Sequence, residues 1–168
     1  DAQQTDFDAV VTGAASLNGR AAVSLDATAF YPLSGGQPCD TGTLGDAFVV
    51  DVVESDDGEV WHVLDREIAV GSRVRGAIDR ARRFDHMQQH TGQHILSAAF
   101  DRLSRARTVG FHLGAAVSTL DLAIHLPAEA VAAAEAEANR VVWEDRPIGI
   151  RFVSDTEAAA LPLRKEPG

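Results

Sequence analysis

One stretch of this chain leaves little choice of structure. RARRFDHMQQHTGQHILSAAFDRL, starting at Arg80, runs 24 residues without proline and with a single glycine. Asp79 stands before it as an N-cap, and Phe84, Met87, Thr91, Ile95, Ala98 and Ala99 recur at three- and four-residue spacing. That pattern predicts a long amphipathic helix. The residues before it have another texture: short runs rich in Val and Phe, separated by turn residues, predict strands at 7–11, 20–27, 47–53, 60–64 and 73–78. Asp57-Gly58 marks a hairpin between two of them, and a small antiparallel sheet or barrel is the expected outcome.

After the helix the chain alternates. Strands are expected at 108–113 and 117–124 with Gly114 at the turn, a helix from Pro127 to about Trp143, and a strand at 146–153. Ser154 with Glu157 three residues on reads as a capping box for a short helix through Ala160, before the loop-like LPLRKEPG. The expected fold class is α+β, with a barrel-like β lobe over residues 1–78 and an α+β lobe over 79–168.

Composition narrows the function classes. The 168 residues are 45% apolar and 24% charged, and no apolar run approaches the roughly 18 residues of a membrane span. DAQQTDFDAV has neither a positive segment nor an apolar core, so it does not read as a secretory signal. Cys39 is the only cysteine, which excludes an internal disulfide framework and makes a reducing cytoplasm the expectation. The net charge of −10 argues against non-specific nucleic-acid binding. Its distribution is uneven, because Arg73 to Arg107 carries a net +5, and all basic residues but one are Arg. Such a cluster reads either as a phosphate-facing surface or as a solvated helix face.

Two motifs could carry chemistry. His90 and His94, four apart in HTGQH, project from one helix face and could grip one metal ion, zinc first; equally, they could be surface histidines. A zincin protease would place Glu after the first His, where this chain has Thr91. His86 lies on the same stripe but about 12 Å along the axis from His94, too far for one ion to touch both. The second motif is FYPLSGGQP, in which Gly35 and Gly36 let a ligand approach the main chain and Gln37 offers both donor and acceptor. Alone it is equally a tight connection between strands.

Together and in this order, FYPLSGGQPCDTG and RFDHMQQHTGQHILSAAF resemble the editing domain of alanyl-tRNA synthetase and its free-standing AlaX-type relatives. The resemblance continues through VGFHLGAAVSTLDL to LPLRKEPG. It implies a zinc-dependent hydrolase that removes serine or glycine from alanine-specific tRNA by attack of water on the ester. On that pattern His90 and His94 are the metal ligands, and Gln37, Thr91 and Gln93 act beside them as catalytic residues. Ser34, Gly35, Gly36 and His112 border the substrate. Arg80, Arg82, Arg83, Arg105 and Arg107 are the expected contacts to the tRNA acceptor end, with no DNA or membrane partner and the oligomeric state open.

The resemblance also shows two departures. The family pattern completes its metal site with a Cys and a His three residues apart in a later strand, which this sequence does not contain, so the expectation is a chain that continues past Gly168. Leu33 stands where relatives often place Glu. The missing pair keeps a non-catalytic module that binds an aminoacylated tRNA end as an alternative. The acidic charge keeps a third reading, a metal-dependent hydrolase of a small aminoacyl compound.

Overall fold

The computed structural model describes residues 2–114 and 116–161, so LPLRKEPG lies outside the described residues except for Leu161. Six strands close into an antiparallel barrel in the order β1-β2-β5-β4-β3-β6: β1 (Asp6–Leu17), β2 (Arg20–Leu25), β3 (Gly42–Leu44), β4 (Ala47–Glu54), β5 (Val60–Leu64) and β6 (Arg73–Ile78). Closure leaves no unpaired edge. Its interior is filled by alternate residues of the strands, among them Val11, Val23, Leu44, Val49, Val52 and Leu64, with Phe30 from the β2–β3 connection.

The sequence reading stops β1 at residue 11, whereas the strand continues to Leu17 and turns through Asn18 (φ 52°) and Gly19 (φ 77°) into β2. Asn-Gly with both residues left-handed is a two-residue hairpin turn, so the signal was present. A register shift between Val11 and Gly13 breaks the strict alternation and masks the continuity. Strand β3 escapes pattern reading because it is three residues long.

Helix α1 (Arg80–Ser104) follows β6 directly. Asp79 caps it, its side chain accepting from Arg82 N, while Asp79 N donates to Thr41 O. Arg105, left-handed at φ 52°, ends it. Strands β7 (Thr108–His112) and β8 (Thr119–Leu122) form a separate two-stranded sheet, and α2 (Ala128–Trp143) packs against α1. A small core of Ala99, Phe100, Ala106 and Ala134, flanked by Leu96, Leu120, Leu122, Leu126 and Ala138, joins these elements. Helix α3 (Asp155–Ala159) begins with the expected capping box, Ser154 and Glu157 each serving the other's backbone.

Residues 146–153 form no strand. Ile148, Ile150 and Phe152 alternate as a strand would, but they are 74%, 89% and 103% exposed. A strand's hydrogen bonds come from a neighbour, and none pairs with this segment among the described residues; periodicity without a partner does not make a strand.

The barrel and α1 are joined by a buried ion pair. Arg83 donates to Asp40 at 2.5 and 3.0 Å and to the carbonyls of Ala29 and Ala2, and its guanidinium lies 4.1 Å from the Tyr31 ring centroid. Arg83→Met leaves Asp40 buried without its counter-charge, and we expect a loss of about 3–5 kcal/mol, measured by urea denaturation.

His62, fully buried in β5, is held neutral by its burial. Its Nδ1 donates to Val23 O at 3.1 Å, so its Nε2 accepts from the Thr28 hydroxyl at 2.8 Å, and burial lowers its pKa. In the unfolded chain the ring takes up a proton near pH 6.5. The stability tied to neutral His62 is therefore complete above about pH 6.5 and falls as pH drops toward the depressed folded value. His62→Gln should flatten that acid limb of the stability profile, read by denaturant midpoints between pH 7 and 5.

Candidate functional site

The SGGQ segment lies in the β2–β3 connection and folds into a tight turn. Gln37 N donates to Ser34 O at 2.9 Å and Ser34 N to Gln37 O at 3.2 Å, with Gly35 and Gly36 both left-handed at φ 58° and 82°. Such a turn admits two successive residues of positive φ only where side chains are absent or small. Gly36 meets a further demand: a Cβ there would stand 2.2 Å from the carbonyl oxygen of Phe111. Its own carbonyl accepts from Leu113 N at 2.8 Å, which clamps the turn to the end of β7.

This clamp aims Gln37 at α1. Gln37 Oε1 lies 2.7 Å from His90 Nδ1, although the two residues are 53 apart in sequence. The rings of His90 and His94 stack with centroids 4.9 Å apart and an interplanar angle of 18°, and Phe111 tilts against His90 at 6.2 Å. Two imidazoles brought together by one helix turn supply half the protein ligands of a tetrahedral zinc site. Among the described residues no group of three or more His, Cys, Asp or Glu is placed to hold a metal. His90 and His94 are donors of the type zinc takes, short of a complete ligand set among the described residues.

The other expected site residues divide by helix face. Thr91 and His94 line a groove of about 930 Å³ between α1 and α2, with Phe84, Met87 and Ile95. Gln93 faces β7 and β8 instead, lining a smaller cavity of about 300 Å³ with Phe111 and Thr119. Its Nε2 donates to the buried Ser97 hydroxyl at 2.7 Å, which also accepts from Thr108 at 2.8 Å. Thr91 and Gln93 therefore do not share one cavity. Ser34 and Gly35 are exposed at the turn, and His112 is exposed at the end of β7.

Of the basic residues expected on the surface, Arg83 is corrected. Its side chain is 2% exposed and committed to Asp40, so it cannot reach a phosphate in this fold. Arg82 is half-buried and donates to Cys39 O at 3.0 Å. Arg80, Arg105 and Arg107 are exposed. Cys39 lies in the barrel core with its thiol donating to Asp51 at 3.2 Å, and burial raises its pKa, so it behaves as a core residue. His86 is buried with its Nδ1 lacking a partner, and burial, followed by the charge of Arg82, lowers its pKa. Sequence reasoning missed Ser97, which bears no motif and joins Gln93 to β7 only through the packing of α1.

No protein-family profile matches the chain. Curated relatives do. It is 38% identical over 149 residues to alanyl-tRNA editing protein AlaX-M of Methanosarcina acetivorans, covering 81% of this chain and 61% of the relative. It is 37% identical over 133 residues to alanyl-tRNA editing protein Aarsd1 of Mus musculus, covering 79% and 32%. With alanyl-tRNA editing protein AlaX-L of Pyrococcus horikoshii it is 35% identical over 168 residues, covering 95% and 41%. The chain thus spans between about a third and three fifths of the length of these relatives.

Gly36→Ala should cost more than Gly35→Ala. Each forces a side chain into left-handed backbone, worth about 1–2 kcal/mol, but only at Gly36 does the new methyl also meet the Phe111 carbonyl, since nothing lies within 4 Å of a Cβ at Gly35. Paired thermal melts of the two variants read the difference.

Proposed function

This chain is a homologue of the alanyl-tRNA editing proteins over most of its length, and on that premise we propose that it is a zinc-dependent deacylase removing serine or glycine from mischarged alanine-specific tRNA. The observation that carries this reading is the meeting of two motifs 53 residues apart, Gln37 of the glycine-rich turn against His90 of the histidine pair. A turn-bound amide and a paired imidazole in contact, beside open grooves, suit a hydrolytic site better than a plain strand connection.

In this reading His90 and His94 hold the metal, which when bound supplies a Lewis acid and lowers the pKa of a coordinated water. The chain's own residues do the rest. Ser34, Gly35, Gly36 and His112 border the aminoacyl end, the glycines offering main chain where a side chain would obstruct it. Thr91 presents its hydroxyl to the groove that His94 also lines. Gln93, oriented by Ser97, offers its amide on the β7–β8 side. Arg80, Arg105 and Arg107, with the less accessible Arg82, take the phosphates of the acceptor end, which makes binding salt-dependent. The organisation that goes with it is a β lobe through residue 78 and, from residue 79, an editing lobe built on the metal-binding helix, in a cytoplasmic protein.

A second reading is favoured by one finding: among the described residues no group of three or more His, Cys, Asp or Glu is placed to hold a metal. A module that binds the aminoacylated tRNA end without hydrolysing it needs no catalytic metal.

The deciding assay is release of serine from alanine-specific tRNA charged with serine. The deacylase reading expects turnover that a zinc chelator abolishes and that falls at least about 100-fold in His90→Ala. Undiminished turnover in that variant rejects the zinc role, and tight binding of the charged tRNA without turnover selects the module. Neutralising Arg105 and Arg107 together should weaken tRNA binding and shallow its salt dependence, with the double variant's melting temperature as control.

A further inference from the structure

A zinc half-site works only if its imidazoles present the right nitrogen. Neutral histidine carries its proton on either Nδ1 or Nε2, and only the bare nitrogen can bind a metal. In His90 the choice is constrained from outside the helix. The Gln37 amide oxygen, 2.7 Å from Nδ1, can only accept, so Nδ1 carries the proton and Nε2 is left bare.

We infer that Gln37 is a positioning residue that fixes His90 in its Nδ1–H tautomer and so presents Nε2 to the metal. The inference rests on the proposed metal site and assigns Gln37 a role through His90, in place of direct contact with the ester. The structure around Gln37 fits that task. Ser34 and Gln37 close the turn through reciprocal backbone bonds, and Leu113 N holds the Gly36 carbonyl at 2.8 Å. A Cβ at Gly36 would strike the Phe111 carbonyl at 2.2 Å. The amide is therefore delivered by backbone clamped to β7, while His90 is delivered by a helix whose first turn is tied to the barrel through Arg83 and Asp40. Phe111 stands beside the His90 ring, with centroids 6.2 Å apart. Besides bordering the aminoacyl end, the Ser34–Gln37 turn thereby holds the acceptor at a fixed place.

The test reads the proton directly. In the purified, 15N-labelled protein without metal, long-range proton–nitrogen correlation of the imidazoles should show His90 protonated at Nδ1 and bare at Nε2. His62, whose Nδ1 faces the Val23 carbonyl, should show the same pattern in every variant and so reports that the barrel is folded. Gln37→Leu should return His90 to a mixture of tautomers, and Gln37→Glu, which keeps an acceptor at the same place, should restore the Nδ1–H form. Zinc affinity should fall about 10- to 100-fold in Gln37→Leu, as for loss of an outer-shell partner, and recover in Gln37→Glu. A wild-type His90 protonated at Nε2, or a Gln37→Leu protein with unchanged tautomer, overturns the inference. The expected tautomers in a protein that binds zinc yet releases no serine uphold the inference and reject the deacylase reading; a protein that binds no zinc overturns both.

Discussion

Two charges taken out of water set the geometry of this molecule. Arg83 and Asp40 are 2% and 1% exposed, and a pair so placed is tolerated only when its remaining donors and acceptors are met. They are: the guanidinium reaches the Ala29 and Ala2 carbonyls, and Asp40 also accepts from Tyr31 N at 2.7 Å. The pair therefore binds the first turn of α1 to both ends of the connection running from residue 31 to 40. Ser34 to Gln37 lie inside that connection. Seven residues after Arg83, two helical turns on and on nearly the same face, comes His90. One helix face thus anchors the glycine-rich loop at its base through Arg83 and meets its tip through His90.

That arrangement explains why the arginines could not be assigned by counting. From Arg73 to Arg107 the sequence shows a basic block on an acidic chain, and nothing in one dimension separates an arginine that faces water from one that faces a buried carboxylate. Arg80, Arg82 and Arg83 are near neighbours in sequence, yet a helix turns about 100° per residue, so they point to solvent, to the Cys39 carbonyl and to Asp40 in turn. Arg102 is taken up by Glu137 of α2. The basic surface that remains is smaller than the composition suggests.

Much of the fold was legible because local signals coincided with it. The Asp79 cap, the run of α1 and the Ser154–Glu157 box are decided within a few residues, and all three stand where the sequence puts them, although of the apolar stripe expected on α1 only Ala99 is buried and Phe84 is exposed. The failures have a common physical cause. The strand expected at 146–153 depends on a neighbour that is absent among the described residues, and the second half of β1 is hidden by an irregularity in its pairing. The histidine pair was legible from spacing, but its contact with Gln37 was not, because that contact is made by folding two separate segments onto β7. Ser97 was invisible for the same reason.

The two halves of the molecule are unequally supported. The barrel closes on itself around a continuous core, whereas among the described residues α1, α2 and the two-stranded sheet share a cluster of four buried residues. A site built solely on the second half would inherit its weaker packing, since local opening follows the number of buried apolar contacts. Here it does not, because each piece of the site is tied to something firmer. His90 lies on a helix whose first turn is fixed to the barrel through Arg83. Gln37 comes from the barrel's own connection, and Gly36 passes that order on to β7 through Leu113 N. Ser97 repeats the device from the other side, drawing Thr108 and Gln93 to one buried hydroxyl. The precision of the candidate site therefore derives from the barrel, through the connection that the barrel and Arg83 anchor.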